Sequence, residues 1–449
     1  MTSSPTKSAS ADEVSNNELH RQLGLASATA AVAGEAIAVG IFLTPAGMAR
    51  SLGSPMWLLL VWLSVGVMTL SGALCFGRLA GRFPRAGGQY VYLQEIFGRR
   101  TAFLFGWMSL LVLDPGLAAA LSTGVSAYAG YAFQWSPQTV KLAAVAFIWS
   151  LCVLNILSIR LSAGFLRWIT WIKFGTLALM IVWALAFGLG SWSNFTPLVA
   201  QRPGSLPLGP ALGAAVVGAF FSFGGWWDVS KIAGEIRDPG RVLPRAMVLG
   251  VTIVIAAYIL VSGVFIYLVP MNAVTSDETF VAQAGEVLFG RIGGIVLALM
   301  VAVCILGGLA AFIMTAPRVY YAMARDGLFL QRVARVHPRF GTPVAAIVIQ
   351  GGMASVLIGL GTFEEIISYF MFPAVAFLGL TVAGLFVLAR REKASDALAV
   401  RRYPVMASVF LVLVVSMLAL VGLRNPGQAV LGISVVLAGA PVYSLAARR

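Results

Sequence analysis

Long apolar runs recur along the whole chain, and they constrain its fold more than any other feature. A stretch of about 18 or more mostly apolar residues is long enough to cross the hydrocarbon core of a bilayer as a helix. Of the 449 residues, 59 % are hydrophobic and only 11 % are charged, whereas about a quarter of the residues of a soluble domain are charged. The sequence therefore predicts an all-α polytopic membrane protein.

The apolar runs divide into twelve candidate spans. They cover residues 27–50, 56–80, 101–131, 141–158, 165–188, 209–233, 245–269, 288–316, 343–361, 365–389, 404–422 and 428–446. If both termini are cytoplasmic, most of the 31 Lys and Arg residues lie on the cytoplasmic side, as the positive-inside rule requires. The exceptions are Arg50, Lys141, Arg202, Arg291 and Arg424 outside, and Lys173 within a span. An odd number of spans would spoil this alternation, so we expect twelve spans in the cytoplasmic membrane.

The remaining features argue against other protein classes. The net charge of +14 would suggest nucleic-acid binding in a soluble protein, but here it reflects basic cytoplasmic loops. Residues 1–24 are polar and Ser-rich, and we interpret them as a disordered cytoplasmic tail rather than a signal peptide. Cys75, Cys152 and Cys304 are scattered, so no disulfide framework, metal site or cofactor is indicated. The sequence has no HExxH, P-loop or Ser/His/Asp arrangement, and we do not expect an enzyme.

Two spans are interrupted by residues that weaken helices. Residues 34–45 of span one read GEAIAVGIFLTP, and residues 221–228 of span six read FSFGGWWD. Each glycine costs a helix about 1 kcal/mol relative to alanine, and opened backbone in lipid is tolerated only beside protein or a water-filled cavity. Interrupted spans at matching positions of two halves indicate the binding site of an inverted-repeat transporter. The alternative is a glycine face that packs against another helix.

Four motifs give the chain a family resemblance. They are GIFLTP at 40–45, AGGQYVYLQEIFG at 86–98, FSFGGW at 221–226 with EIRDPGRVLP at 235–244, and YAMARDG at 321–327. With these motifs in this order, the chain resembles the amino acid–polyamine–organocation superfamily, and within it bacterial relatives of the L-type amino acid transporters. The resemblance covers a transporter core at 25–390 and, more weakly, two further spans at 391–449. It implies five-plus-five inverted repeats with broken helices one and six, two extra helices, and alternating access.

The resemblance also implies where substrate binds. The candidate substrate-binding residues are Ala38, Val39, Gly40 and Ile41 in span one and Phe221, Ser222, Phe223, Gly224, Gly225 and Trp227 in span six. It implies that Phe221 is an aromatic gate over the substrate, with an ordinary packed aromatic as the alternative. Cation-selective relatives carry an acid where this chain has Gly224, which argues against lysine or arginine as substrates.

Three positions depart from the family pattern. The family usually has Gly-Ser where this chain has Ala38 and Val39, often Asn in place of Trp227, and Arg in place of Asp114. Backbone N–H groups at the half-helix ends can still bind a carboxylate. The departures at Val39 and Trp227 favour a small or unusual ligand, so an amine, amide or other small organic solute is an alternative substrate.

Ionisable residues within the spans are candidates for coupling. Lys173 lies six residues beyond Arg167, about 9 Å along a helix, where a lysine could snorkel to the interface. Sodium-independent members resemble this chain in having a lysine here, which implies that the ammonium replaces a structural sodium ion and braces span one. We expect Lys173 to pair with Glu35, as a structural pair or a proton relay. Asp114 could pair with Arg50 or face water, and Asp228 could cap a half-helix or bind an amine.

These observations lead to a functional prediction. We expect a sodium-independent secondary transporter of neutral amino acids, working by exchange or proton coupling. Glu235, Arg241, Arg325 and Asp326 are candidates for a cytoplasmic gate. A non-translocating sensor is less favoured, because the cytoplasmic segments are short. The loop at 132–140 has no cysteine, so we expect no disulfide-linked heavy chain.

Overall fold

The described part of the chain is built from helices. The computed structural model describes residues 19–37, 40–271, 284–285, 287–360, 363–391, 403–424 and 426–446. Within these ranges the regular structure is helical, and β-type pairing is limited to one bridge between Leu23 and Ile236. The predicted all-α class is therefore confirmed. The predicted tail at 1–24 lies outside the described residues up to residue 18, while Leu23 is buried.

The first half of the chain contains helices α1 to α8. They are α1 Leu25–Ala36, α2 Gly40–Leu52, α3 Pro55–Arg82, α4 Gln89–Phe97, α5 Arg99–Met108, α6 Asp114–Phe133, α7 Pro137–Leu157 and α8 Ile159–Ala186. A single π-helical turn, Ser109–Leu113, joins α5 to α6. It lies just before Asp114-Pro115, and Pro115 has no N–H to continue the α-helical ladder.

The second half contains helices α9 to α16. They are α9 Leu208–Ser222, α10 Pro239–Leu268, α11 Gly293–Thr315, α12 Pro317–Arg325, α13 Val344–Leu360, α14 Phe363–Arg391, α15 Tyr403–Arg424 and α16 Pro426–Ala446. A 3₁₀-helix, Asp228–Glu235, follows α9. We call it the span-six 3₁₀-helix.

Many of these helices are long and apolar enough to cross a membrane. In the described ranges, eight meet both conditions: Pro55–Arg82, Arg99–Phe133, Pro137–Leu157, Ile159–Ala186, Pro239–Leu268, Gly293–Arg325, Phe372–Arg391 and Pro404–Leu423. Three shorter apolar helices are Leu208–Ser222, Val344–Gly359 and Ala429–Ser444. The chain is a multi-pass membrane protein, and the count of twelve spans stays a prediction.

Both predicted interruptions lie at helix ends. Helix α1 ends at Ala36, Ile37 is non-helical with φ −81° and ψ 84°, and α2 begins at Gly40. Helix α9 ends at Ser222, and Gly225 has a φ of +93°, a backbone conformation that favours glycine. The break in span six therefore lies where the sequence predicts it. Ala38 and Val39 lie outside the described residues.

Helix α1 lies in the interior of the molecule. It packs against α8, α10, α11 and the span-six 3₁₀-helix, and α2 packs against α9. Helix α8 presents its other face to the surroundings, with Trp168 and Trp171 exposed at 62 % and 77 %. The interrupted spans thus meet at the centre, with α8 between α1 and the outer surface.

Candidate functional site

A cavity of about 100 Å³ lies where the two interrupted spans meet. Its lining comes from α1, α2, the π-helical turn before α6, α6, α9, the turn after α9, and α14. The lining residues are Glu35, Ala36, Gly40, Leu113, Leu117, Leu121, Phe220, Phe221, Ser222, Gly224, Gly225, Trp227, Ala374, Val375 and Leu378. Most of these side chains are apolar. The predicted breaks in spans one and six are thus brought together around one cavity.

The two interrupted spans cross in direct contact. A Cβ atom on Gly40 would lie 2.6 Å from the Cα atom of Ser222, and a Cβ atom on Gly225 would lie 2.6 Å from Cγ of Glu35. Real Cβ atoms do not approach other heavy atoms this closely, so both crossings require glycine. The hydroxyl groups of Thr44 and Ser222 are 2.6 Å apart and share a hydrogen bond. The side chain of Ser222 therefore links α2 to the end of α9.

The aromatic residues near the break divide into two sets. Phe221 and Trp227 line the cavity. Phe223 is buried away from it and packs against Trp62 and Tyr258, with ring centroids 5.9 Å and 4.9 Å apart. Among the other predicted binding residues, Gly40, Ser222, Gly224 and Gly225 line the cavity, whereas Ile41 is fully buried and is not among the lining residues.

The ammonium group of Lys173 closes the end of α1. Its Nζ atom donates hydrogen bonds to the carbonyl oxygen of Gly34, at 2.7 Å, and to that of Ile37. Lys173 is fully buried, so it does not snorkel to the interface. The last carbonyls of a helix have no partner within it, which is why a cation is stabilised there. This geometry agrees with the predicted bracing of span one.

The predicted pairing of Lys173 with Glu35 is wrong. Neither carboxylate oxygen of Glu35 has a hydrogen-bond partner among the described residues. The ammonium group of Lys173 is directed at backbone carbonyls instead. The carbonyl oxygens at the end of α1 and the carboxylate of Glu35 are alternative acceptors for the same ammonium group. Sequence spacing does not show which of them the lysine binds.

Lys231 is the partner that both membrane aspartates use. Its Nζ atom lies 3.0 Å from Oδ1 of Asp228 and 3.4 Å from Oδ1 of Asp114. All three residues are at least 97 % buried. Asp114 therefore neither faces water nor pairs with Arg50. Asp228 is the first residue of the span-six 3₁₀-helix, but it makes no side-chain cap hydrogen bond, and its carboxylate forms an ion pair with Lys231 within that helix.

Tyr258 of α10 contacts both interruptions at once. Its hydroxyl oxygen lies 2.7 Å from the carbonyl oxygen of Ala36 and 2.5 Å from that of Ser222. These carbonyls end α1 and α9, respectively. The hydroxyl group can donate to either carbonyl, so its position ties the two broken helices together. This residue is not predictable from the sequence, because a tyrosine in an apolar span carries no distinctive signal.

Within the described part of the chain, the contacts of the four predicted gate residues lead to different partners. Glu235 is fully buried rather than at the surface, and its carboxylate accepts hydrogen bonds from Arg318 at 2.9 Å and 3.2 Å. Nη2 of Arg318 also lies 3.4 Å from the side-chain oxygen of Asn155. Arg241 is instead exposed and lies 3.9 Å from Asp238.

Asp326 and Arg325, at the end of α12, make contacts separate from those of Glu235 and Arg241. Oδ2 of Asp326 accepts hydrogen bonds from Tyr90, at 2.9 Å, and Gln94, at 2.8 Å, both on the helix α4 between spans two and three. Burial and the negative charge of Asp326 raise the pKa of the Tyr90 hydroxyl well above its usual range, so this tyrosine stays a donor. Arg325 donates to the hydroxyl oxygen of Tyr321 at 3.3 Å.

Lys231 and Arg318 are the charged residues that sequence reasoning misses. Counting of basic residues places both on the cytoplasmic side, but both are at least 98 % buried. A signal is present for Lys231, since it follows Asp228 by three residues, which is ion-pair spacing on a helix. Arg318 carries no such signal, because Glu235 and Asn155 come from distant parts of the chain.

This arrangement, with two interrupted membrane helices around a small cavity, defines a transporter-like membrane protein. The family model described as "Amino acid permease" matches residues 23–444. The chain therefore belongs to the amino acid permease family, which confirms the superfamily resemblance.

Three relatives illustrate the range of the family. The chain is 29 % identical to the serine/threonine exchanger SteT of Bacillus subtilis over 432 residues, which cover 95 % of this chain and 97 % of the relative. It is 31 % identical to the human b(0,+)-type amino acid transporter 1 over 391 residues, covering 85 % and 79 %. It is 26 % identical to the human cystine/glutamate transporter over 438 residues, covering 95 % and 85 %. These relatives are transporters rather than enzymes by name.

Proposed function

We propose that this protein is a sodium-independent secondary transporter of neutral amino acids that works by alternating access. The transported molecule binds in the cavity between the interrupted spans. The core consists of five-plus-five inverted repeats with two further helices, in the cytoplasmic membrane, with both termini in the cytoplasm. The protein functions without an enzymatic step, a cofactor or a disulfide-linked heavy chain.

One observation carries this proposal: two helix interruptions from distant parts of the chain border the same cavity. The carbonyl oxygens of Ala36 and Ser222 mark the ends of α1 and α9 beside it. Helix ends of this kind supply carbonyl oxygens for an ammonium group, and the facing N-terminal ends supply N–H groups for a carboxylate. An amino acid carries both groups, so it matches such a site.

Lys173 supports sodium independence. Its ammonium group occupies the carbonyl end of α1, where a cation is stabilised. A second cation at the same place would meet like-charge repulsion in a buried, weakly screened environment. This fixed charge supports transport without sodium.

The substrate is expected to be a small neutral amino acid. Gly224, at the lining of the cavity, offers no carboxylate to a cationic side chain. The matched relatives carry the names of serine/threonine, b(0,+)-type and cystine/glutamate transporters. Phe221 acts as a gate whose ring covers the substrate, since it lies on the cavity at the end of α9.

Uptake into proteoliposomes tests the proposal. Labelled neutral amino acids are offered with and without internal amino acid, and with a sodium gradient, a proton gradient or neither. We expect uptake that ignores sodium, and a large loss of uptake in Phe221→Ala. Phe187→Ala, at a phenylalanine that is 63 % exposed, is the matched control and should transport normally. Transport of no amino acid would contradict the proposal, and sodium-driven uptake would contradict its sodium independence.

A small amine is the second candidate substrate. Glu35 brings a carboxyl group to a cavity lined mostly by apolar side chains, and a carboxylate with aromatic neighbours suits an organic cation. Competition separates the two candidates. Labelled amine is offered to the proteoliposomes with an excess of either unlabelled amine or unlabelled amino acid. Uptake that is blocked by the amine but not by any amino acid would favour this second function.

A further inference from the structure

A group of charged side chains lies beside the substrate cavity, within the membrane-spanning part of the molecule. It consists of Glu35, Asp114, Asp228 and Lys231, and we call it the buried charge cluster. Each residue is at most 6 % exposed. Lys231 forms ion pairs with Asp114 and Asp228. Burial of charge in a membrane protein is costly and is retained where it has a function.

Glu35 is the member of the cluster that lacks a cationic partner. Both of its carboxyl oxygens are buried and have no hydrogen-bond partner within the described ranges. Its side chain lies against Gly225 and lines the substrate cavity. A carboxyl group that is buried without a partner is far less costly in its protonated, neutral form than in its ionised form.

The charge balance of the region leads to the same result. The cluster has three carboxyl groups, and two ammonium groups lie beside it. Lys231 forms ion pairs with Asp114 and Asp228, and Lys173 binds the carbonyl oxygens of Gly34 and Ile37, which flank Glu35 in the chain. If all five were ionised, one negative charge would be uncompensated. A buried charge without a partner costs several kcal/mol in general. One bound proton makes the region neutral.

Several titratable groups surround Glu35 from the elements packed near it. They are Asp228 and Lys231 of the span-six 3₁₀-helix, Asp114 of α6 and Lys173 of α8, and Tyr258 of α10, whose hydroxyl oxygen lies 2.7 Å from the carbonyl oxygen of the next residue, Ala36. Lys231 directly compensates Asp114 and Asp228. Lys173 is occupied by carbonyl oxygens. Glu35 is thus the carboxyl group with the least compensation.

We propose that Glu35 is a proton-binding site coupled to transport, holding one proton on its buried carboxyl group beside the substrate cavity. A hydronium ion entering the cavity transfers its proton to a carboxylate oxygen of Glu35, forming an O–H bond and leaving water. The O–H bond breaks when the cavity opens to the opposite side, and the proton leaves with a water molecule. This inference deepens the proposed function and rests on it, since it selects proton coupling over simple exchange.

Infrared spectroscopy tests the bound proton without any substrate. The carbonyl stretch of a protonated carboxyl group is separate from the stretches of a carboxylate, so it reports the proton directly. We expect a protonated-carboxyl band in the lipid-reconstituted protein at pH 7 that disappears in Glu35→Gln. Glu95→Gln, at an exposed ion pair with Arg85, is the matched control and should retain the band. A band that persists in Glu35→Gln would overturn the inference.

A transport measurement tests the coupling. With the membrane potential clamped at zero, an inward gradient of one pH unit supports about tenfold accumulation at one proton per substrate, since it is worth about 1.4 kcal/mol. We expect Glu35→Gln to lose this accumulation, so that its uptake is the same with and without the pH gradient. The Glu95→Gln control should accumulate substrate like the wild type. Uptake by Glu35→Gln that still rises with the pH gradient would overturn the inference.

The outcomes separate the inference from the proposed function. A wild-type protein that transports amino acids but ignores the pH gradient contradicts only the coupling. A wild-type protein that transports no amino acid contradicts the proposed function, while the infrared band still reports on Glu35. If Glu35→Gln does not fold, Glu35→Asp replaces it. The band should then shift, because the carbonyl group that carries it has changed, and an unshifted band would overturn the inference.

Discussion

Lys173 places a fixed positive charge at the carbonyl end of α1. A side chain from span five thereby completes the hydrogen bonding of span one, which its own helix leaves open. The side chain of Lys173 also packs closely against Gly307 of α11, where a Cβ atom would lie only 2.6 Å from Cε of the lysine. The absence of a side chain at Gly307 thus leaves space for Lys173. Lys173 is a structural component of the interruption as well as a candidate for coupling.

Replacement of Lys173 by alanine is predicted to destabilise the protein and stop transport. Each buried carbonyl left without a donor costs about 1–3 kcal/mol, and two carbonyls lose theirs. Lys173→Ala should lower the thermal unfolding temperature in detergent and reduce uptake to background. Lys141→Ala removes an exposed lysine at the start of α7 and should change neither. Normal uptake in Lys173→Ala would show that span one needs no cation.

At the scale of elements, the interrupted helices are held in place by close crossings. Gly225 combines a positive φ with a position directly above the side chain of Glu35. A residue with a Cβ atom is strained at this φ, and its Cβ atom would also overlap the side chain of Glu35. The contact of span six with Glu35 therefore depends on Gly225, the second glycine of the FSFGGW motif.

Gly225→Ala is predicted to be strongly destabilising. The added methyl group would overlap Glu35, and the backbone would be strained at a cost of about 1–2 kcal/mol even without the overlap. Thermal unfolding and uptake should both fall. Gly175→Ala, in α8 with no heavy atom within 4 Å of the position that the new methyl group would take, should be neutral or stabilising by up to about 1 kcal/mol. If Gly225→Ala and Gly175→Ala had the same thermal stability and uptake, the close contact between Gly225 and Glu35 would be contradicted.

A buried ion pair joins the span-six 3₁₀-helix to α12. Arg318 and Glu235 are both fully buried, and the backbone carbonyl of Glu235 also accepts hydrogen bonds from Gln22 and Leu23. Three separate segments on the predicted cytoplasmic side therefore converge on one glutamate. A conformational change that opens this side has to move them together or separate them.

A double-mutant cycle on Glu235 and Arg318 measures this connection. Either Glu235→Gln or Arg318→Gln should cost about 3–5 kcal/mol, because each leaves one buried charge alone. The double variant should cost much less than the sum. The same cycle on the exposed pair of Asp238 and Arg241 should give about 0–1 kcal/mol. Additive losses for the buried pair would rule out a direct connection.

At the scale of the whole molecule, the orientation in the membrane follows from the distribution of basic residues. The three native cysteines are free and buried in the described structure, so a cysteine introduced at the surface reports on its own position. Lys141 lies on the predicted outer side and Arg335 on the predicted cytoplasmic side, and both are exposed.

Cysteine labelling is predicted to distinguish the two sides. A membrane-impermeant maleimide should label Lys141→Cys in intact cells and label Arg335→Cys only after permeabilisation. The unaltered protein serves as the control and should remain unlabelled in both conditions. The reverse pattern would place the termini outside and contradict the positive-inside assignment.

The features that depend on local composition could be predicted from the sequence. Apolar runs identify the membrane helices, and adjacent glycines locate the break after Ser222. The sequence places Lys173 at span one but does not identify its acceptors. Pairings between distant segments are not predictable, because nothing local shows that Lys231 lies between two aspartates or that Arg318 meets Glu235. Positive-inside counting even leads away from them, since it assigns basic residues to the aqueous phase.

The position of Lys231 in the chain has a consequence for biosynthesis. Asp114 is made well before Lys231, the lysine that compensates it. A single aspartate at the centre of an inserted helix costs about 2.5–3.5 kcal/mol. Until span six has entered the bilayer, the nascent protein carries this carboxyl group without its cation. Insertion and assembly are therefore coupled in time, and a chain halted after span five would leave its third span poorly matched to lipid.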